Sequence, residues 1–355
     1  MLHRQVVTLP IVFQVDEGIL SNIEKYLERN SLFFSKILII SGATYSLEIA
    51  NNILPKKQGI DRYVIESNDS ICVERVKGLC YEGGYELLLA VGGGKVLDVA
   101  KRVSYLVSIN NVCIPTIISN DGLISPIAVI RNDMGRSESL PAMMPMGVII
   151  DLDIIKNSPS KYLAAAAGDV LSNLSATNDW TIAHFKEKEG INDLSYHLSR
   201  GAALSLVQSK SGNVKDKSFL RLLILAQINS GISMALAGTS RPCSGSEHLI
   251  SHALDFLNLT KDVLHGEQVA SASLFTLHLQ RKLDESHLQY AQKIGINLLF
   301  TDYILNSELD FVKLFETARK MRPGRVTTLD NYSNDDLIRE FESFKKLVRA
   351  HVMNR

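Results

Sequence analysis

Val91-Gly92-Gly93-Gly94-Lys95-Val96-Leu97-Asp98-Val99-Ala100-Lys101 joins an apolar run, Glu86-Leu87-Leu88-Leu89-Ala90-Val91, to a stretch with helical spacing. A continuous apolar run of this kind between helices reads as a parallel strand covered on both faces. Three glycines at its end let a backbone approach a phosphate with no side chain in the way. The helix that follows offers unpaired N–H groups and positive potential. A pyrophosphate fits there, against Gly92, Gly93 and Gly94. The pattern is neither G-x-G-x-x-G nor a P-loop. A tight strand-to-helix turn with no ligand is the plainer alternative.

Working outward, Lys36 to Gly42, Arg62 to Glu66 and Val112 to Pro115 repeat the strand pattern, with helical stretches between them. This is the alternation of a doubly wound nucleotide-binding sheet. After Asp151-Leu152-Asp153 the texture changes. Ser158-Pro159-Ser160 opens a helix-rich half, with helical stretches at Ala164 to Ala167, Gly201 to Val207, Phe219 to Ala235 and Val269 to Lys282. Ser333-Asn334-Asp335-Asp336 has the form of a capping box for a last helix. The fold class is therefore an α/β N-terminal doubly wound dinucleotide-binding domain, residues 1–155, followed by an all-α C-terminal metal- and substrate-binding domain, residues 156–355. The cleft between the halves is the expected place for a ligand.

Composition narrows the functions. The 355 residues carry 38 Lys plus Arg against 38 Asp plus Glu, a formal charge of zero. A nucleic-acid partner is not expected of so balanced a chain, nor is a polybasic contact with a membrane surface. No apolar run reaches the roughly 18 residues of a membrane span. Gln5, Gln14 and Asp16 interrupt the apolar amino-terminal residues, so no leader is read there and a cytoplasmic protein is expected. Cys72, Cys80, Cys113 and Cys243 fit neither metal-ligand nor disulfide spacing and read as reduced, buried thiols.

The second half holds the metal candidates. His248 and His252 are four apart and share one face of a helix; His265 lies thirteen residues further on. Three of the nine histidines thus fall within 18 positions. Two neutral imidazoles and a carboxylate, with one position open to substrate, would suit a divalent metal. Asp169 is the favoured carboxylate. It follows Gly168 in an Ala-rich stretch, where an unpaired charge is costly to bury. Surface histidines and a capping aspartate are the plain alternative. The absence of H-E-x-x-H gives no indication of a zinc protease. Pro115 to Pro126, dense in hydroxyls, lies where cofactors bind at the carboxyl end of a parallel strand, or is a polar loop. Arg241, just before the histidine pair, suits a bidentate grip on an anionic group, or is an ordinary surface arginine.

Together and in this order, these segments resemble the iron-containing alcohol dehydrogenase, glycerol dehydrogenase and dehydroquinate synthase superfamily. Within it they look most like the sn-glycerol-1-phosphate dehydrogenase branch. The resemblance rests on Gly92 to Lys101, Pro115 to Pro126, Gly168-Asp169 with Asp179-Trp180, Ser240 to Asp255 and His265-Gly266-Glu267-Gln268. It implies NAD or NADP as cofactor and one divalent metal, usually zinc, with nickel or iron as alternatives. The ligands would be Asp169, His248 and His265, and His252 a proton-relay or substrate residue; the two roles of His248 and His252 can be exchanged. Gly92, Gly93 and Gly94, with Lys95 and Asp98 beside them, would hold the pyrophosphate. Thr116, Ser119 and Ser125 would meet the nicotinamide half, and Asp121 the substrate hydroxyls. Asn120 and Cys243 stand where branch members often carry His and Ala. Asn173 stands where the alcohol dehydrogenases carry a fourth ligand, so substrate oxygens are expected to complete the shell beside it.

The expected reaction is reversible hydride transfer between NAD(P)(H) and glycerol 1-phosphate or dihydroxyacetone phosphate, with Arg241 on the phosphate and Glu66 on the adenosine ribose. The alternatives are a glycerol or other polyol dehydrogenase acting on an unphosphorylated substrate, a dehydroquinate-synthase-like cyclase, and a non-catalytic dinucleotide-binding protein. The expected partners are a small polyol or polyol phosphate and further copies of the chain in a homo-oligomer.

Overall fold

Ile37 to Ser41 forms a strand buried at every position, as its unbroken apolar sequence requires. The structure, a computed structural model, describes residues 9–30, 32–55, 57–305 and 309–353. The start of the chain, where no leader was read, lies outside the described residues up to residue 8. The chain divides into two compact units, Met1–Pro159 and Ser160–Arg355.

The first unit has strands β1 (Val12–Asp16), β2 (Ile37–Ser41), β3 (Ile60–Val64), β4 (Leu87–Gly92), β5 (Asn110–Pro115), β6 (Ile127–Arg131), β7 (Ser137–Pro141) and β8 (Gly147–Asp151). Its helices are α1 (Ile23–Arg29), α2 (Tyr45–Asn52), α3 (Ser70–Gly83), α4 (Gly94–Val107) and α5 (Leu152–Asn157). Among the described residues, six strands form a parallel sheet in the order β1-β8-β5-β4-β2-β3, and β6 and β7 form a separate antiparallel hairpin. Inner strands β2, β4 and β8 are buried throughout, whereas edge strand β3 has exposed and half-buried positions. Leu87, Leu88 and Leu89 are fully buried; each contributes about 1.5–3 kcal/mol by leaving water. The chain passes from β2 outward to β3, then from β4 to β5 on the other side. The strand order therefore reverses between β2 and β4, and ligands bind beyond the carboxyl ends of strands at such a point.

The second unit is helical among its described residues: α6 (Ser160–Glu187), α7 (Asp193–Val207), α8 (Lys217–Ala237), α9 (Ser246–Phe256), α10 (His265–Leu279), α11 (Glu285–Lys293), α12 (Phe311–Lys320) and α13 (Asn334–Met353). The capping box at the start of α13 is formed: Asp336 N–H donates to Ser333 Oγ, and Ser333 N–H donates to the Asp336 carboxylate. One expectation is corrected here. Helix α8 is long and apolar enough, by length and composition, to cross a membrane. Its apolar side chains Phe219, Leu220, Leu223 and Ile224 are instead buried within the helical unit. The four cysteines are free and buried.

Candidate active site

Two places carry the chemistry. In the first unit, Gly93 is the N-cap of α4 and no side chain caps it; Val96 N–H turns back to the Gly93 carbonyl, and the N–H groups of Gly94 and Lys95 are left for another acceptor. The three glycines do different work. A methyl on Gly92 would lie 2.5 Å from Val96 Cγ2, so this glycine lets the strand turn tightly into the helix. A methyl on Gly94 would meet nothing within 4 Å; its bareness leaves open space in front of the N–H groups. Lys95 is exposed beside them.

The loop after β5 is held from beneath. Lys101, fully buried in α4, donates to the carbonyls of Gly122 (2.6 Å), Ser125 (3.3 Å) and Ile127 (2.6 Å). Its ammonium lies 3.1 Å from Asp98 Oδ1. Burial raises the Asp98 carboxyl, and Lys101 opposes that shift. Asp98, expected beside the pyrophosphate, is the counter-ion of the loop anchor within this unit. Gly122 N–H donates to Asn120 Oδ1, an Asx turn. Thr116 and Ser125 are buried and Ser119 half-buried. Asp121 opens the short 3-10 turn Asp121–Leu123, and its side chain lies outside the described residues. Glu66 is exposed just after β3.

In the second unit, Asp169 from α6, His248 from α9 and His265 from α10 offer ligand atoms within 4.8 Å of one another. His248 Nε2 lies 3.8 Å from Asp169 Oδ1. Two ligands of a tetrahedral zinc are about 3.4 Å apart, so the donors are spaced as a set around one ion. Small residues bring them together. A methyl on Gly266 would lie 2.0 Å from the Ala165 carbonyl oxygen, and one on Gly168 would lie 2.8 Å from the Gly266 oxygen. Only glycine at both positions lets α6 and α10 approach closely enough for Asp169 to meet His265.

A buried polar layer aims both imidazoles. Glu247 Oε1 lies 3.0 Å from His248 Nδ1, which fixes the tautomer and leaves Nε2 with its lone pair. Glu247 also accepts from Ser175 Oγ (2.7 Å) and Gly245 N–H (2.5 Å). His265 Nδ1 lies 3.4 Å from Ser251 Oγ, whose proton goes to Gln268 Oε1 at 2.7 Å. Gln268 is held in turn by Asp255 and Thr260. Gly245 has no side chain to cap α9. Asp179 of α6 does so instead, accepting from Ser246 N–H and Oγ, each at 2.6 Å. Burial raises both Asp179 and Glu247, and Asp179 is raised further by its neighbour Glu247.

Burial also pushes His248 and His252 well below the usual imidazole range, with the neighbouring imidazoles and then Arg322 and Arg325 adding to the effect, and it holds His265 below that range against the opposing charge of Asp255. All three rings are neutral at pH 7, the state in which they bind metals. His252 is half-buried and stacks on His265, ring centres 5.8 Å apart.

Two residues expected at the substrate, Arg241 and Asn173, are engaged in bonds within the fold. Arg241 is 4 % exposed and forks onto Glu189, with Nε at 2.8 Å and Nη2 at 2.5 Å, while Nη1 donates to the Val326 carbonyl. Its donors are spent on the fold. Asn173 is 1 % exposed, and its amide donates to Ser199 O and Ser230 Oγ, tying α6 to α7 and α8. The sequence reading also passed over Glu247, Lys101, Arg322 and Arg325. The one available signal for the arginines was a Pro-Gly turn between them.

The comparisons with known proteins agree with this geometry. The family described as iron-containing alcohol dehydrogenase matches residues 14–159. A probable glycerol dehydrogenase from Sinorhizobium meliloti 1021 is similar in structure, with a TM-score of 0.77 at 19% identity, covering 97% of this chain and 99% of that one. The fold is therefore that of the iron-containing alcohol dehydrogenase class. Glycerol-1-phosphate dehydrogenase of Pyrococcus furiosus is 35% identical over 323 residues, 87% of this chain and 88% of that protein. The Pyrococcus abyssi protein of the same name is 37% identical over 269 residues, 72% and 74% of the two chains. Within that class, the chain belongs to the glycerol-1-phosphate dehydrogenase family.

Proposed function

We propose that this chain is a cytoplasmic, metal-dependent oxidoreductase that interconverts glycerol 1-phosphate and dihydroxyacetone phosphate with a nicotinamide dinucleotide. The observation that carries the reading is the convergence of Asp169, His248 and His265, in a chain so similar to the named dehydrogenases. One carboxylate and two neutral imidazoles suit zinc, with nickel and iron as alternatives. When bound, the ion would supply Lewis acidity toward a substrate oxygen and the nicotinamide would supply or accept the hydride.

The chain's own residues do the rest. Gly93, Gly94 and Lys95 would bind the pyrophosphate through main-chain N–H groups, with Gly92 making the turn that presents them. The loop clamped by Lys101 would carry Thr116, Ser119 and Ser125 to the nicotinamide half and Asp121 to the substrate hydroxyls. Exposed Glu66 would bind the adenosine ribose, which favours NAD over NADP. His252, neutral and half-buried, would take the alcohol proton on a ring nitrogen and pass it outward. Glu247 and Ser251 hold the two ligand rings in place.

The test is a panel of dihydroxyacetone phosphate, dihydroxyacetone and glycerol with each dinucleotide, alongside metal analysis of the purified protein. NADH oxidation with dihydroxyacetone phosphate well above that with dihydroxyacetone is expected. Preference for the unphosphorylated compounds would overturn the reading.

A further inference from the structure

Arg322 and Arg325 flank the Pro323-Gly324 turn and reach back to the segment that leads into α9. Arg322 Nη1 donates to Ser240 Oγ at 2.7 Å and Arg325 Nη1 donates to the same oxygen at 3.1 Å. Arg325 Nη2 donates to the Ser244 carbonyl. Two guanidinium groups therefore share one hydroxyl, eight residues before His248.

Glu247, and for Arg325 also Glu189, offset part of their charge from a distance, but no carboxylate meets either guanidinium directly. The neighbouring Arg241 is neutralised by its fork onto Glu189. Among the described residues, Arg322 and Arg325 have no ion pair, and Arg322 makes a single hydrogen bond. Arg325 Nε is buried with no hydrogen-bond partner, and so is the nearby Ser244 Oγ. A buried guanidinium donor left unpaired is costly, and proteins accept that cost where a ligand satisfies it. The electrostatics agree. Burial, then Arg322 and Arg241, push Arg325 down to about 9, and burial lowers Arg322 as well. Arg325 holds the Ser244 carbonyl, four residues before His248, and the charges of both arginines are felt by His248 and His252.

We infer that Arg322 and Arg325, joined through Ser240, form the seat for a phosphate monoester dianion carried by the substrate, in place of Arg241. A dianion would neutralise the two charges and give Arg325 Nε its missing acceptor. Two planar forks are the donors best matched to phosphate oxygens. A neutral polyol would give the pair no ion pair and leave Arg325 Nε without a charged acceptor, so the pair sets the substrate class as well as its position. This assignment rests on the dehydrogenase reading above.

The experiment compares wild type with R322Q, R325Q, R325K and R241Q. It measures kcat/KM for dihydroxyacetone phosphate and dihydroxyacetone, KM for the dinucleotide, and the inhibition constant of inorganic phosphate. Melting temperatures and circular dichroism show that each variant is folded. R322Q and R325Q should each lower the ratio of kcat/KM for the phosphorylated over the free ketone by about 10²-fold and weaken inhibition by phosphate in parallel. R325K should recover part of the ratio. R241Q should lower the melting temperature and keep most of the ratio. The inference is overturned if R322Q and R325Q keep the wild-type ratio, if R241Q alone collapses it, or if the loss falls on the dinucleotide KM. A wild type that does not prefer the phosphorylated ketone defeats the dehydrogenase reading itself. A wild type that prefers it, with unchanged ratios in the variants, defeats only the arginine seat.

Discussion

The glycine turn and the carboxylate–imidazole cluster solve opposite problems. The turn is made of main chain, within a few consecutive residues, and works through side chains that are missing. The cluster is made of side chains from α6, α9 and α10, and works because a buried layer of Glu247, Ser251, Gln268 and Ser175 aims them. A main-chain site needs little support beyond the helix it begins. A side-chain site needs every supporting hydrogen bond, because a rotated imidazole is no longer a ligand.

Removing a ligand tests the second site most severely. Asp169→Ala and His265→Ala should each abolish bound metal and reduce turnover by ~10³-fold or more, as expected when an ion's Lewis acidity is lost. Metal content by mass spectrometry and initial rates check this. A His265→Ala protein that keeps its metal would remove His265 from the set and point to His252 in its place. Glu247→Gln leaves the ligands intact and disturbs only their aim; metal affinity should fall about 10–100-fold.

The two sites can next be compared by adding the same methyl group to each. Gly266→Ala places a carbon 2.0 Å from the Ala165 carbonyl, so α6 and α10 must separate. A cost of roughly 1–3 kcal/mol in stability and weaker metal binding are expected together. Gly94→Ala meets nothing within 4 Å in the fold, so the melting temperature should hold. The methyl would instead stand where the pyrophosphate is proposed to lie, and the dinucleotide KM should rise about tenfold. Thermal melts and dinucleotide titrations separate the two outcomes. If Gly94→Ala bound dinucleotide normally, the glycine turn would be a fold element alone.

The same contrast explains what could be read from sequence. Strands β2, β4 and β5 were legible because burial on both faces leaves an apolar run, edge strand β3 only by Tyr63, Val64 and the Ile65 that follows it, and helix α4 because glycines precede it directly. Strands β1 and β8 were not distinguished. β1 lies at the sheet edge and mixes exposed with buried positions, and β8 follows a Met- and Pro-containing loop that hides its start. In the hairpin β6–β7, β7 carries Ser137, Glu138 and Ser139 toward solvent and has no apolar signature of its own, while β6 is a five-residue run, Ile127 to Arg131, that follows the polar loop without a strand partner nearby in sequence other than β7. Asp169, His248 and His265 were legible as residue types, while their meeting depends on Gly168 and Gly266, whose role is a distance between helices. Lys101 has the sequence signal of a solvated helix residue, and only the fold shows it buried under a loop. Arg322 and Arg325 stand more than eighty residues beyond Ser240 and came with no local pattern beyond a turn.

The smallest expected effect concerns protons and separates the two regions again, since the glycine turn has no imidazole to titrate. His248, His252 and His265 are held below the unfolded imidazole value of about 6.5, first by burial and then by neighbouring positive charge. Above that value neither the folded nor the unfolded chain protonates them, and their contribution to stability is fully present. Below it the unfolded chain takes up protons that the native site refuses. Stability of the metal-free protein should therefore fall as pH drops below 6.5, by up to about 1.4 kcal/mol per pH unit for each imidazole. His287 and His278 are also lowered by burial and act in the same direction. The contribution of the cluster is isolated by urea unfolding of wild type and His252→Gln between pH 7.5 and 5, where the variant should lose up to one imidazole's share of the slope. Identical slopes in the two proteins would mean that His252 is protonated as readily in the fold as out of it, and that burial does not govern its titration.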